Sequence, residues 1–325
     1  MDDESNGDHR EEGEPAVFQG TDYSPLHSTI AFCLSFGGLH FILALVLAAV
    51  FLLPARLAAA VFGFLLIITL IPVDDKSKLG LIVSRYVGKY VAGYFPITVH
   101  VEDIKAFDPD QAYVLGYEPH SAMPIGVCAL ANHTGFIPLP NCKVLGSSAV
   151  FYTPILRHIW TWLGVVPASR KNFYAYLEAG YSCLIVPGGV QEMLYMNNFS
   201  EVAFLNSRKG FVQIAMETGR PIVPVFCFGQ NHVFGWWKPS GKFFAQISRA
   251  IKFAPILIWG RLGTPIPFRR PIHVVMGRPI ELVKNPHPTA DEINEVHSQF
   301  VHALQELFEK YKCKVGYPDL QLTIL

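Results

Sequence analysis

From residue 30 to residue 53 the chain carries no formal charge, with His40 as the most polar side chain, and residues 41–53 form an unbroken apolar run. About 20 apolar residues cross a bilayer, so this stretch is long enough to do so. Pro54, Ala55 and Arg56 interrupt it, and residues 57–71 make a second run of fifteen. Two such runs joined by a short break predict a membrane-embedded hairpin over residues 28–72, or a wedge that enters without crossing. Residues 1–27 are acidic and polar with few core-forming side chains, which predicts a disordered acidic tail.

Beyond residue 73 the pattern changes to short apolar runs alternating with helical periodicity. Residues 112–117, 182–186, 222–228 and 272–276 are rich in Val, Ile, Phe and Tyr and read as strands. Residues 152–163, 171–179 and 207–218 read as helices. The alternation predicts an α/β fold, a mixed sheet with parallel portions flanked by helices, in a cytosol-facing domain over residues 73–325. Near the end, Thr289 and Glu292 have capping-box spacing. Ile293, Val296, Phe300, Val301, Leu304, Leu307 and Phe308 then recur at helical intervals up to a stop at Gly316.

Composition agrees with a chain short of surface for water: 51% of residues are hydrophobic and 16% charged, against roughly 25% charged in soluble domains. Net charge is zero, yet no Asp or Glu occurs between Thr218 and Ile280, where nine Lys and Arg fall. Those bases lie among Phe, Trp, Ile and Pro without a nucleic-acid-binding motif, so a lipid headgroup surface or another phosphate suits them better than nucleic acid; a solvated basic face is the plain alternative. Residues 248–262 in particular suit an in-plane membrane contact. The six Cys lack metal or disulfide spacing and read as reduced and mostly buried. The twelve His show no ligand spacing, and no metal is expected. The sequons at Asn132 and Asn198 are expected to stay bare on a cytosolic domain.

The most pointed local feature is Tyr117-Glu118-Pro119-His120-Ser121, where the first strand of the large domain ends; ligands gather at such strand ends in open α/β sheets. A lone His is more often structural than catalytic. Further blocks follow: Gly164 to Arg170, then Val186-Pro-Gly-Gly-Val-Gln-Glu192, then Arg208-Lys-Gly-Phe211 with Ile222-Val-Pro-Val225 and Phe228-Gly-Gln230. In this order and spacing the blocks resemble the type-2 diacylglycerol acyltransferase family in its plant-type form, within the glycerolipid acyltransferase superfamily.

The resemblance implies an acyl-CoA-dependent O-acyltransferase of the endoplasmic reticulum membrane, with lipid droplet contacts, that acylates diacylglycerol to triacylglycerol. Acyl-CoA is then a co-substrate and no cofactor is needed. His120 becomes the general base. The superfamily pattern places Asp five positions after that His, but here Ile125 stands there, so another carboxylate must orient the ring. Glu192 is the first candidate and Glu118 the second. Arg170 and Arg208 are candidate grips for coenzyme A phosphates, since the planar guanidinium binds phosphate through two donors. Gly188 and Gly189 would let the backbone approach substrate or donate N–H groups to the thioester oxygen. Gly210 and Phe211 would line the substrate site or serve packing. Monoacylglycerol or a long-chain alcohol stays open as acceptor, as do a non-catalytic membrane lipid-binding protein, a hydrolase built on Ser121, and a homo-oligomeric state. The C-terminal residues 320–325 are loosely similar to the retrieval tails of relatives.

Overall fold

The computed structural model describes residues 14–20, 23–74, 77–130, 139, 141–239, 241–251, 254 and 256–325. Its helices in chain order are α1 (Pro25–Phe32), α2 (Gly38–Phe51), α3 (Ala55–Leu70), α4 (Lys78–Tyr94), α5 (Leu156–Trp162), α6 (Arg170–Glu178), α7 (Gly189–Tyr195), α8 (Gly210–Thr218), α9 (Lys242–Ile251) and α10 (Ala290–Lys312). The strands are β1 (Ala16–Gln19), β2 (Thr98–Val101), β3 (Val114–Glu118), β4 (Cys142–Gly146), β5 (Val165–Pro167) and β6 (Ser182–Ile185). They continue with β7 (Ser200–Ala203), β8 (Ile222–Phe228), β9 (Gly235–Trp237), β10 (Leu257–Trp259), β11 (His273–Met276) and β12 (Gln321–Ile324).

Eight strands form one mixed sheet in the order β1-β2-β11-β8-β3-β6-β4-β5. The run β8-β3-β6-β4-β5 is parallel throughout, so the carboxyl ends of these strands share one edge. Along β3, Leu115 and Tyr117 enter the core shared with α1 and α4, while Val114 enters the core shared with α6, α8 and α10. Gly116 faces that second core too, because a Cβ there would meet the Phe300 ring at 2.5 Å. The α10 helix seats Phe300, Leu304, Leu307 and Phe308 against this face, each contributing roughly 1.5–3 kcal/mol of burial. Its capping box forms as the spacing predicts, Thr289 and Glu292 satisfying each other's backbone N–H.

The expected tail boundary at residue 27 needs correction. Residues 1–13 lie outside the described residues, but Ala16–Gln19 pairs antiparallel with β2, and Ala16 and Phe18 pack on the core. A run of four residues next to an acidic stretch is too short to stand out by periodicity. The sequon at Asn132 also lies outside the described residues. Residues 321–324 are the other surprise: they add to β7 as a parallel strand, half-burying Leu322 and Ile324. All six Cys are reduced, and three of them, Cys142, Cys183 and Cys227, are buried.

No single described helix is long and apolar enough to cross a membrane; Pro25–Gly37 and His40–Phe51 form a pair bent by 59°. The α2 and α3 helices carry exposed Phe41, Leu43, Phe51, Leu57, Leu66 and Leu70. Polar groups of α5 tie this apolar layer to the sheet: Arg157 donates to the Thr69 carbonyl, and the Trp160 indole to the Ser35 carbonyl at 2.8 Å.

Candidate active site

The parallel register of β3 and β6 sets Gly116 beside Ile185, so the turn after β6 emerges next to Glu118, the last residue of β3. Glu118 is fully buried, and its Oε1 accepts the Gly188 N–H at 3.3 Å. The α7 helix starts at the next residue and brings Glu192, also fully buried, beneath the loop that follows β3. Its Oε1 accepts the backbone N–H of His120, and its Oε2 that of Phe204 at 3.3 Å. Burial first, and then the negative charge of Glu192, hold the Glu118 carboxyl well above the usual carboxylate range; the Gly188 N–H and Arg208 oppose this. Glu192 thus accepts two backbone N–H groups and Glu118 one.

Close packing dictates the residue between them. A Cβ on Gly188 would stand 2.2 Å from Glu192 Oε2 and 2.9 Å from its Cβ. Gly188 thus serves Glu192 rather than substrate, and its N–H, bound to Glu118, is not aimed at a thioester. Gly189 sits at φ +52 with open space where a Cβ would go, so its requirement is conformational.

Neither carboxylate touches the imidazole in the manner expected from the sequence. Glu192 grips the backbone of His120, while the ring's Nδ1 lies 2.9 Å from the Ser121 carbonyl oxygen. A carbonyl only accepts, so Nδ1 carries a proton, and in the neutral form of the ring Nε2 is then the nitrogen with the lone pair. Ser121 stands at φ +52, and its buried Oγ has no hydrogen-bond partner. The ring faces its carbonyl and not its hydroxyl, an arrangement unlike an activated serine nucleophile.

At the same edge a cavity of about 330 Å³ opens between the starts of α6 and α8, lined by Arg170, Arg208, Gly210, Phe211, Ser169 and Pro187 among others. Four sequence-derived candidates thus meet in one place. They are not equivalent. Arg170 bonds Glu217 at 3.2 Å and the Tyr174 hydroxyl at 2.9 Å. Arg208 lies over the Phe204 ring at 5.3 Å, its buried Nε without a hydrogen-bond partner. Phe211 packs edge-on against Phe300, whereas Gly210 has no neighbour that would exclude a Cβ.

Several of the bases between Thr218 and Ile280 are engaged inside the fold. The Lys238 ammonium donates to the carbonyls of Met193, Leu194 and Met196, capping the end of α7 that the macrodipole makes negative. Arg249 bonds Gln191 at 3.2 Å, and Arg278 pairs with Asp103 at 3.3 Å. Lys238 was hidden from sequence reasoning because its partners are main-chain atoms more than forty residues away. In the Phe234 to Trp237 cluster the outcome is divided: Phe234 is buried and Trp237 exposed.

A mixed α/β sheet thus carries, along one edge, a half-buried His just past a central strand end, two buried carboxyls and a cavity lined by Arg170 and Arg208. The chain belongs to the diacylglycerol acyltransferase family, whose pattern matches residues 49–325. It is 33% identical over 256 residues to 2-acylglycerol O-acyltransferase 3 of Homo sapiens, covering 72% of this chain and 74% of that protein. It is also 32% identical over 242 residues to diacylglycerol O-acyltransferase 1 of Schizosaccharomyces pombe, covering 69% of each. The solved 1-acyl-sn-glycerophosphate acyltransferase of Thermotoga maritima superposes with a TM-score of 0.40 at 13% identity, covering 87% of this chain and 94% of that one.

Proposed function

We propose that this protein transfers a fatty acyl group from acyl-CoA to the free hydroxyl of diacylglycerol, with His120 as general base. One observation carries the assignment of the base: Nδ1 is committed to the Ser121 carbonyl, which leaves Nε2 as the proton acceptor on a half-buried ring. Nε2 takes the hydroxyl proton as the alcohol oxygen attacks the thioester carbonyl. The tetrahedral intermediate then expels the coenzyme A thiolate, which recovers that proton from the imidazolium. Such general base catalysis is worth about 10² to 10⁴-fold. The cavity between Arg170 and Arg208 suits the coenzyme A phosphates, with Arg208 the better grip because its guanidinium is less engaged.

The exposed apolar faces of α2 and α3 support a hairpin seated in the endoplasmic reticulum membrane, with the catalytic edge on the cytosolic side and access to lipid droplets. A second contact is supported by α9, β10 and the turn that follows, where Phe243, Ile251, Leu257 and Leu262 are exposed beside Lys242 and Arg261. Monoacylglycerol is a second acceptor, favoured by the similarity to a human 2-acylglycerol acyltransferase.

The test uses membranes carrying the full chain, labelled acyl-CoA and either acceptor. Wild type should make labelled triacylglycerol from diacylglycerol, His120→Ala at least about 100-fold less, and Ser121→Ala nearly the wild-type amount. Undiminished product from His120→Ala refutes the base assignment, and acylation of monoacylglycerol alone replaces the acceptor.

A further inference from the structure

Gln230 follows Gly229 at the end of β8 and is 2% exposed, although it carries a polar head. Its amide is engaged at both ends around the His120 loop. Nε2 donates to the carbonyl oxygen of Pro119. Oε1 accepts the Tyr117 hydroxyl at 2.6 Å and the Gly126 N–H at 3.4 Å. The Pro119 carbonyl can only accept, which settles which end of the amide faces it.

The Pro119 carbonyl and the His120 N–H belong to one planar peptide group. Glu192 holds the N–H end of that plane and Gln230 the carbonyl end, from elements on opposite sides of β3 in the sheet order. Gripped at both polar ends, the plane resists the swing that would change ψ of Pro119 and φ of His120 together. The clamp thereby restrains the direction in which the imidazole leaves the backbone. Catalytic groups need this: a misplacement near 1 Å can cost on the order of 10²-fold in rate.

We infer that Gln230 is a positioning residue for acyl transfer, clamping the Pro119–His120 peptide jointly with Glu192; this rests on His120 being the base. The clamp needs one donor and one acceptor in a single head. Leucine offers neither. A glutamate at this position reproduces the pattern only when protonated, its O–H donating to Pro119 and its other oxygen accepting from Tyr117. Ionised, it would set negative charge against a carbonyl oxygen in a buried site.

The experiment measures kcat and KM for acyl-CoA and diacylglycerol with the full chain in membranes, using Gln230→Leu, Gln230→Glu and His120→Ala. Gln230→Leu should lower kcat about 10 to 100-fold while both KM values stay within about twofold. The activity of Gln230→Glu relative to wild type should fall at least about tenfold as pH rises from about 6 to about 9, as its carboxyl ionises. A wild-type kcat for Gln230→Leu, or a loss shared with KM, overturns the clamp. Should the Leu variant fail to accumulate, a flat ratio for the Glu variant across that range overturns it equally. Full activity in His120→Ala removes the base assignment instead, and the clamp with it; an inactive His120→Ala beside unaffected Gln230 variants removes the clamp alone.

Discussion

Glu192 accepts a hydrogen bond from the backbone N–H of His120, a residue 72 positions earlier in the chain. The acid of the Gly-Gly-Val-Gln-Glu turn therefore acts on the backbone of His120 rather than on its ring. The imidazole's own orientation comes from the Ser121 carbonyl. With Ile125 five positions on, the group that faces the ring is this carbonyl and not a carboxylate.

Glu192→Gln should preserve the fold and lower turnover. A carboxylate accepts from both His120 and Phe204, whereas an amide can accept at one end only and leaves a buried N–H unpaired, costing about 1–3 kcal/mol. We expect kcat to drop about 10 to 100-fold with KM little changed, read by acyl transfer in membranes. Wild-type turnover would remove Glu192 from the mechanism.

Gly188→Ala and Gly210→Ala should part company. The new methyl at 188 collides with Glu192, held in place by two hydrogen bonds, and should destabilise by about 1–3 kcal/mol with loss of activity. The methyl at 210 meets nothing within 4 Å and lies at a helix start, so stability should hold or rise slightly. Thermal unfolding of the two variants decides it.

Arg208→Met should raise KM for acyl-CoA about tenfold, and Arg170→Met by much less. The first removes a cavity guanidinium with an unpartnered buried Nε, the second one already bound to Glu217 and Tyr174. Equal effects would show that both grip the phosphates.

Stability should decline as pH rises through the neutral range, in part because of Glu201. Burial, then the charge of Glu192, push its carboxyl from 4.5 up to about 8. Between those values the folded state holds a proton that the unfolded chain has released. The stabilisation is thus complete below about 4.5 and lost progressively up to about 8, at no more than about 1.4 kcal/mol per pH unit. Glu201→Gln should flatten this dependence, as followed by unfolding midpoints across that window; an unchanged slope would contradict it.

Much of the fold and site was legible in the residues themselves. The apolar runs after residue 30, the strands near 114, 182, 222 and 273, and the capped helix after Thr289 follow from local periodicity and end signals, which neighbouring residues dictate. The family resemblance carried by the blocks from Tyr117 to Gln230 was enough to propose which side chains serve one site. It named His120, Glu118 and Glu192 together, and Arg170 with Arg208.

Tertiary structure decided what each of those groups does. Glu192 reaches a backbone N–H, Gly188 makes room for it, Lys238 caps its helix and Gln230 grips the other end of the His120 peptide. The four-residue strand at Ala16 and the terminal strand beside Ser200 likewise exist only through pairing with distant segments. The reason is common to all of them: hydrogen bonds to main-chain atoms, and strand pairs between remote segments, leave no periodic trace in the sequence, because any residue supplies the same N–H and carbonyl.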